Sequence, residues 1–113
     1  MYSIGKEFKI HLLVYNKLKE YSLVINLMSD TLGDDRMVFN MKEIEDYCNE
    51  TFPNVSWEKR IQGNPSLEKI CSEIHYDLDM AIREAVNKEN IKRQVMLEVM
   101  LSNDNLTTSF TLA

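Results

Sequence analysis

Histidine, cysteine, glycine and proline are all scarce in this chain of 113 residues: two histidines, two cysteines, three glycines and two prolines. Two cysteines, Cys48 and Cys71, with no CxxC pair, exclude a disulfide framework and a cysteine-rich metal site. Three glycines (Gly5, Gly33 and Gly63) leave no phosphate-cradling loop, and no Ser-His-Asp arrangement is visible. No apolar run approaches the roughly 20 residues of a membrane span. The opening "MYSIGKEFKI" has no apolar core of a secretory leader, so a reduced cytoplasm is the expected compartment. The sequons at Asn49, Asn54 and Asn105 then carry no meaning. The formal net charge is −5, which disfavours nucleic acid or an anionic membrane as a partner. Lys6 with Lys9 and Lys17 with Lys19 are clusters too thin to reverse that.

What is present fits one globular domain over residues 1–113. Hydrophobic residues are 44% and charged residues 27%, an ordinary balance for a single core. "FKIHLLVY" alternates, with Phe8, Ile10, Leu12 and Val14 on one face and Lys9, His11, Leu13 and Tyr15 on the other. "NKLKE" breaks the pattern, and "YSLVINLM" resumes it with Tyr21, Leu23, Ile25 and Leu27 sharing a face. Asn40 and Glu43 are spaced as a capping box before a short helix ending ahead of Pro53. A loop carrying Trp57, Lys59 and Arg60 follows. Asn64 is placed as an N-cap with Pro65 at the first helical position. From there Leu67, Ile70, Cys71, Ile74, Leu78, Ala81, Ile82 and Ala85 make an amphipathic stripe running to about Val86. "RQVMLEVMLS" reads as a third strand with Val95, Leu97, Val99 and Leu101 inward. "SNDN" is a turn, and "LTTSFTLA" is a last strand with Thr108, Phe110 and Leu112 on one face.

The order is therefore β-β-α-α-β-β, an α+β domain with two helices on one face of an antiparallel four-stranded sheet. The other face mixes Leu13, Val24, Met28, Met96 and Met100 with Lys9, His11, Asn26 and Glu98. Such a face on a monomer would leave a large apolar patch bare, and the final strand leaves an edge to be paired or protected. Both point to a homo-oligomer.

Three strings in this order resemble the tunnelling fold, in particular the 6-pyruvoyl-tetrahydropterin synthase and 6-carboxytetrahydropterin synthase family. "RMVFNMKEIE" resembles the Gly-Met-Val-x-Asp-Phe-x-x-Leu string before the family's first helix, matching at Met37, Val38 and Ile44. "NPSLEKICSEI" resembles the Asn-Pro-Thr-x-Glu-Asn opening of its second helix, through Asn64, Pro65, Ser66 and Glu68. "VMLEV" resembles the Val-x-Val-x-Glu-Thr strand whose carboxylate anchors the pterin ring, which puts Glu98 in the anchor position. The resemblance implies subunits whose sheets join side by side into a barrel, with a pterin or purine-like ring bound at subunit boundaries through Glu98.

The family's catalytic parts are not matched. Its zinc is held by three histidines, of which only His11 has a counterpart here. Lys17 and Lys19 take the places of the other two, and ammonium groups repel a metal. The loop that carries the family's catalytic cysteine is reduced to "NKLKE", and Asn54 to Arg60 offers no Asp-His dyad. The expectation is a member without zinc and without the lyase activity, with no catalytic residues to assign. The alternative is a structural or regulatory oligomer subunit whose methionines fill the pocket. Cys71 and His75 are spaced i, i+4, as two ligands could be, but read more simply as a small core residue and a neighbour bordering the stripe.

Overall fold

The computed structural model describes residues 1–103 in full and the backbone of 107–112. The chain is α+β. Two long strands, β1 (Tyr2–Val14) and β2 (Lys17–Ser29), are followed by three helices and then by β3 (Val95–Ser102). The helices are α1 (Met41–Thr51), α2 (Trp57–Ile61) and α3 (Leu67–Asn87), with a 3-10 turn at Phe52–Asn54 after α1. β1, β2 and β3 pair antiparallel in that order, and the backbone of β4 (Thr107–Leu112) runs antiparallel beside β3. The expected turn at "SNDN" and the expected faces of Thr108, Phe110 and Leu112 lie outside the described residues and side chains.

The hairpin is longer than the alternation suggests. Tyr15 and Asn16 alone make the turn, both left-handed at φ 50° and 62°, and Val14 faces Lys17 across it. This pair of positive φ angles is the two-residue geometry whose twist matches that of the strands. "NKLKE" is therefore not a loop: Lys17 to Glu20 are the exposed start of β2. Tyr15 is an aromatic where asparagine or glycine is usual, and contacts hold it in place. Its N–H donates to Glu58 Oε2 at 3.1 Å, and its hydroxyl donates to Asn64 Oδ1 at 3.4 Å.

One face of the sheet is the core. Ile10, Leu12, Tyr21, Leu23, Ile25 and Leu27 are buried there with Leu97, Val99 and Leu101, as the alternation predicts. The register sets Leu27 beside Leu97, Ile25 beside Val99 and Leu23 beside Leu101. α3 covers them with Ile70, Cys71, Ile74, His75, Leu78, Ile82 and Val86, while α1 adds Ile44 and Cys48. His75 does not border the stripe; it is buried, with Nε2 3.1 Å from the carbonyl oxygen of Leu97. Its neighbour one turn back behaves alike, Cys71 Sγ donating to the Val99 carbonyl at 3.5 Å.

The starts of α1 and α3 carry side-chain caps, the second displaced from expectation. Asn40 caps α1 by accepting from Lys42 N at 3.1 Å. At α3 the cap is Ser66, which accepts from Lys69 N at 3.3 Å, not Asn64. Asn64 is drawn to the Tyr15 hydroxyl, so buried Pro65 precedes the cap instead of opening the helix. The segment expected as a loop after Pro53 holds α2, with Trp57 fully buried. The Arg60 guanidinium lies 5.4 Å from the Trp57 ring centre and grips Asp77 on α3 through two bonds of 2.6 and 2.7 Å.

The loop from β2 to α1 is closed by a buried cation. Arg93, its side chain only 3% exposed, pairs with Glu89 at 2.9 Å and donates to the carbonyls of Val38 at 2.7 Å and Thr31 at 3.3 Å. Glu89 also accepts from Asp34 N, and a Cβ on buried Gly33 would run into that Glu89 carboxylate and the Arg93 guanidinium. Arg93→Ala takes the cation from Glu89 and one donor from each of the two loop carbonyls, and is expected to cost roughly 3 kcal/mol, the scale of breaking a buried pair. Urea denaturation measures it, and Arg93→Lys should restore only part.

A second prediction concerns acid. The Glu58 carboxyl is held below the usual carboxylate range by its own backbone N–H, then by that of Tyr15. A depressed folded value stabilises the fold above the unfolded value of about 4.3 and is lost as pH falls through the folded one. The urea midpoint of Glu58→Gln should therefore lie below wild type at pH 7 and converge on it near pH 3. A gap of constant size would refute the role.

Candidate functional site

The helix-free face of the sheet is built in rows, because residues paired across antiparallel strands point the same way. One row reads Gly5, Asn26 and Glu98, with the backbone of Thr111 next to Glu98. The rows on either side are apolar at their centres: Val24 beside Met100, and Met28 beside Met96. All four of these side chains are half-buried.

Glu98 is half-buried in this setting, and a carboxylate there needs hydrogen bonds. Asn26 Nδ2 donates to Glu98 Oε1 at 2.8 Å. The other end of the same amide lies over Gly5, where a Cβ would collide with Asn26 Oδ1. The glycine is thus required: it gives the Asn26 side chain the space in which to bridge three strands. The result is a carboxylate and an amide oxygen, both acceptors, along a shallow polar row with methionines on both flanks.

A second carboxylate lies diagonally across the face. Glu7 Oε1 accepts from the hydroxyl of buried Ser22 at 2.6 Å. His11 is on the same face but exposed, 3.9 Å from Glu20, its partner across β1 and β2. Cys71 and His75 lie on the opposite, helix-covered face, and Cys48 lies on α1. The structure therefore does not bring His11 together with either cysteine. Lys17 and Lys19 extend from exposed positions on β2. These residues do not fit a tri-histidine zinc centre. Among the described residues no group of three or more His, Cys, Asp or Glu side chains is placed to hold a metal ion. No helix among them is long and apolar enough to cross a membrane.

The sequence offers Glu98 as a candidate through the resemblance alone; the place of Gly5 and the bridging contact of Asn26 have no such signal. Their signal is the register, which depends on placing the turn at Tyr15 and Asn16. Once that pair closes the hairpin, Gly5 falls opposite Asn26 and Asn26 opposite Glu98.

The two thiols are chemically quiet. Burial pushes Cys48 up to about 12 and Cys71 up to about 11. Thiolate is the reactive form, so neither thiol should react with a disulfide reagent at pH 8 in the native protein. Both should be modified in urea, and fast labelling without denaturant would contradict their burial.

No protein-family model matches this chain, and neither the curated proteins nor the solved structures yield a match.

Proposed function

We propose that this chain is a diverged, 6-pyruvoyl-tetrahydropterin synthase-like subunit of the tunnelling-fold type that binds a pterin or purine-like ring without the family's zinc-dependent lyase chemistry. In this reading the domain is cytoplasmic, β4 completes a four-stranded sheet, and copies join edge to edge into a barrel. Glu98 holds the N–H edge of the ring at a subunit boundary.

The observation that carries the reading is the Glu98–Asn26 pair on the helix-free face. Asn26 Nδ2 donates to Glu98 Oε1, which fixes the carboxylate on this face. An aminopyrimidinone edge presents two adjacent N–H donors in a plane, the pattern a carboxylate accepts bidentately. Asn26 Oδ1 over Gly5 adds an acceptor alongside, and the flanking methionine and valine side chains supply apolar contact for the ring faces.

A purely structural role is favoured by one feature of the same site. Asn26 already gives the Glu98 carboxylate a neutral partner, so the row can be stable with no ligand present. The two readings separate on titration with neopterin or guanine, followed by calorimetry. The binding reading expects one ring per subunit, and a loss of about 100-fold in Glu98→Ala, the scale of charge-assisted hydrogen bonds. An Glu98→Ala protein that binds as well as wild type, or a wild-type protein that binds neither ring, leaves the structural role.

A further inference from the structure

The helix layer carries a groove on its outer side, between α1 and the second half of α3. Ile44, Leu78 and Ile82 form its floor. Phe39 and Tyr47 stand on one side, and Ala81 and Ala85, one turn apart on α3, stand on the other. This section encloses about 150 Å³ and is almost wholly apolar. A wider section of about 680 Å³ continues from Tyr47 and Ala81 to Tyr76 and Met80, which are 60% and 53% exposed. The small side chains of Ala81 and Ala85 leave a trough that larger ones would have filled. Exposed apolar side chains beside such a trough mark an interaction surface.

The charges around the groove select the kind of partner. α1 carries four carboxylates against Lys42 alone, and α3 carries five against Lys69 and Arg83. The two helices thus more than account for the chain's net charge of −5, and the rest of the molecule is close to neutral. Glu43, Asp46 and Glu50 follow one another along α1 at i, i+3 and i+7, on the edge that includes Tyr47. On α3, Asp77 and Glu84 flank Met80 and Ala81 with the same spacing. Asp77 is tied to Arg60, and Asp46 lies 3.5 Å from Lys42. Glu43 makes no ion pair among the described residues, and Glu84 meets Lys88 at 3.7 Å with both side chains 75% exposed. Glu43 on the α1 rim and Glu84 on the α3 rim are therefore available to cations from outside.

A second copy of this chain is a poor occupant, because α1 and α3, its amphipathic helices, would bring carboxylates to acidic rims. Nucleic acid and an anionic membrane are repelled in the same way. An apolar stripe flanked by lysines or arginines satisfies both the trough and its rims. α1 has 11 residues, about 16 Å of helix, so the trough matches about three turns of a further helix laid along it. We infer that the groove between α1 and α3 docks a basic amphipathic helix of a partner protein, its apolar stripe seated on Ile44, Leu78 and Ile82 and its cations on Glu43 and Glu84. Docking here is independent of ring binding at Glu98, which lies on the other side of the sheet.

The test uses the full chain and a fluorescent peptide of about 18 residues, with leucine at i, i+3, i+4 and i+7 and lysine elsewhere, read by anisotropy. A peptide of the same composition with the leucines scattered controls for charge alone. The striped peptide is expected to bind at one per chain, at least about tenfold tighter than the scattered one. Glu43→Lys with Glu84→Lys should weaken it at least about tenfold. Glu20→Lys with Asp30→Lys makes an equal change of charge at exposed positions that do not line the groove, and should leave binding within about twofold. Ala81→Trp fills the trough without altering charge and should abolish binding in a chain whose urea midpoint shows it folded. If that variant does not fold, the charge variants alone decide. No binding, equal affinity for the two peptides, equal losses in the two double variants, or a folded Ala81→Trp that binds as wild type overturns the proposal. So does self-association of the wild type in sedimentation velocity that Ala81→Trp abolishes, which would seat a second copy in the groove.

Discussion

The register of the first hairpin governs the rest of the molecule. Side chains on a strand alternate with a period of two, so a slip of one residue would turn Ile10, Leu12, Leu23 and Leu27 to solvent. The same slip would separate Gly5 from Asn26 and Asn26 from Glu98. What prevents it is a turn of only two residues, Tyr15 and Asn16, both in the left-handed region. A tyrosine is a costly choice there, and the Glu58 carboxylate and the Asn64 side chain offset that cost from outside the hairpin. Core formation and site formation are thus one event, decided at the tip of β1 and β2.

Much of the architecture was legible because it is written in periodicity. The buried faces of β1, β2 and β3, the short α1 and the long α3 all follow from apolar spacing that no local interaction overrides. The misplacements share a physical cause: a side chain found a distant partner that outweighed its local one. Asn64 is a good cap by type, but the Tyr15 hydroxyl takes its oxygen and Ser66 caps the helix instead. Trp57 and Arg60 look like loop residues until the contact with Asp77, 17 positions away, draws the segment into α2. Arg93 gave no sequence signal as the clasp of the loop around Gly33, because its partners are mainly carbonyl oxygens.

The two faces of the sheet divide the chemistry. The helix-covered face holds the two thiols and one imidazole in positions that serve packing and carbonyl hydrogen bonding. The open face holds carboxylates, each matched to a neutral donor: Glu98 to Asn26 and Glu7 to Ser22. Each of these bonds fixes the geometry of its carboxylate on the open face. The absence of a histidine–cysteine cluster on this face follows from the alternation itself, since Cys71 and His75 belong to the helix that covers the other side.

The paired contacts of Cys71 with Val99 and of His75 with Leu97 have a mechanical meaning. Four residues of helix advance about 6 Å, and two residues of strand advance about 6.6 Å. The spacings nearly coincide, so the two side chains grip alternate carbonyls as a vernier grips its scale. A slide of α3 along β3 by less than one full repeat breaks both contacts at once. The layers of this domain are thereby held against the shear motions by which many packed helices adjust, which leaves rearrangement to the strand edges and the loops.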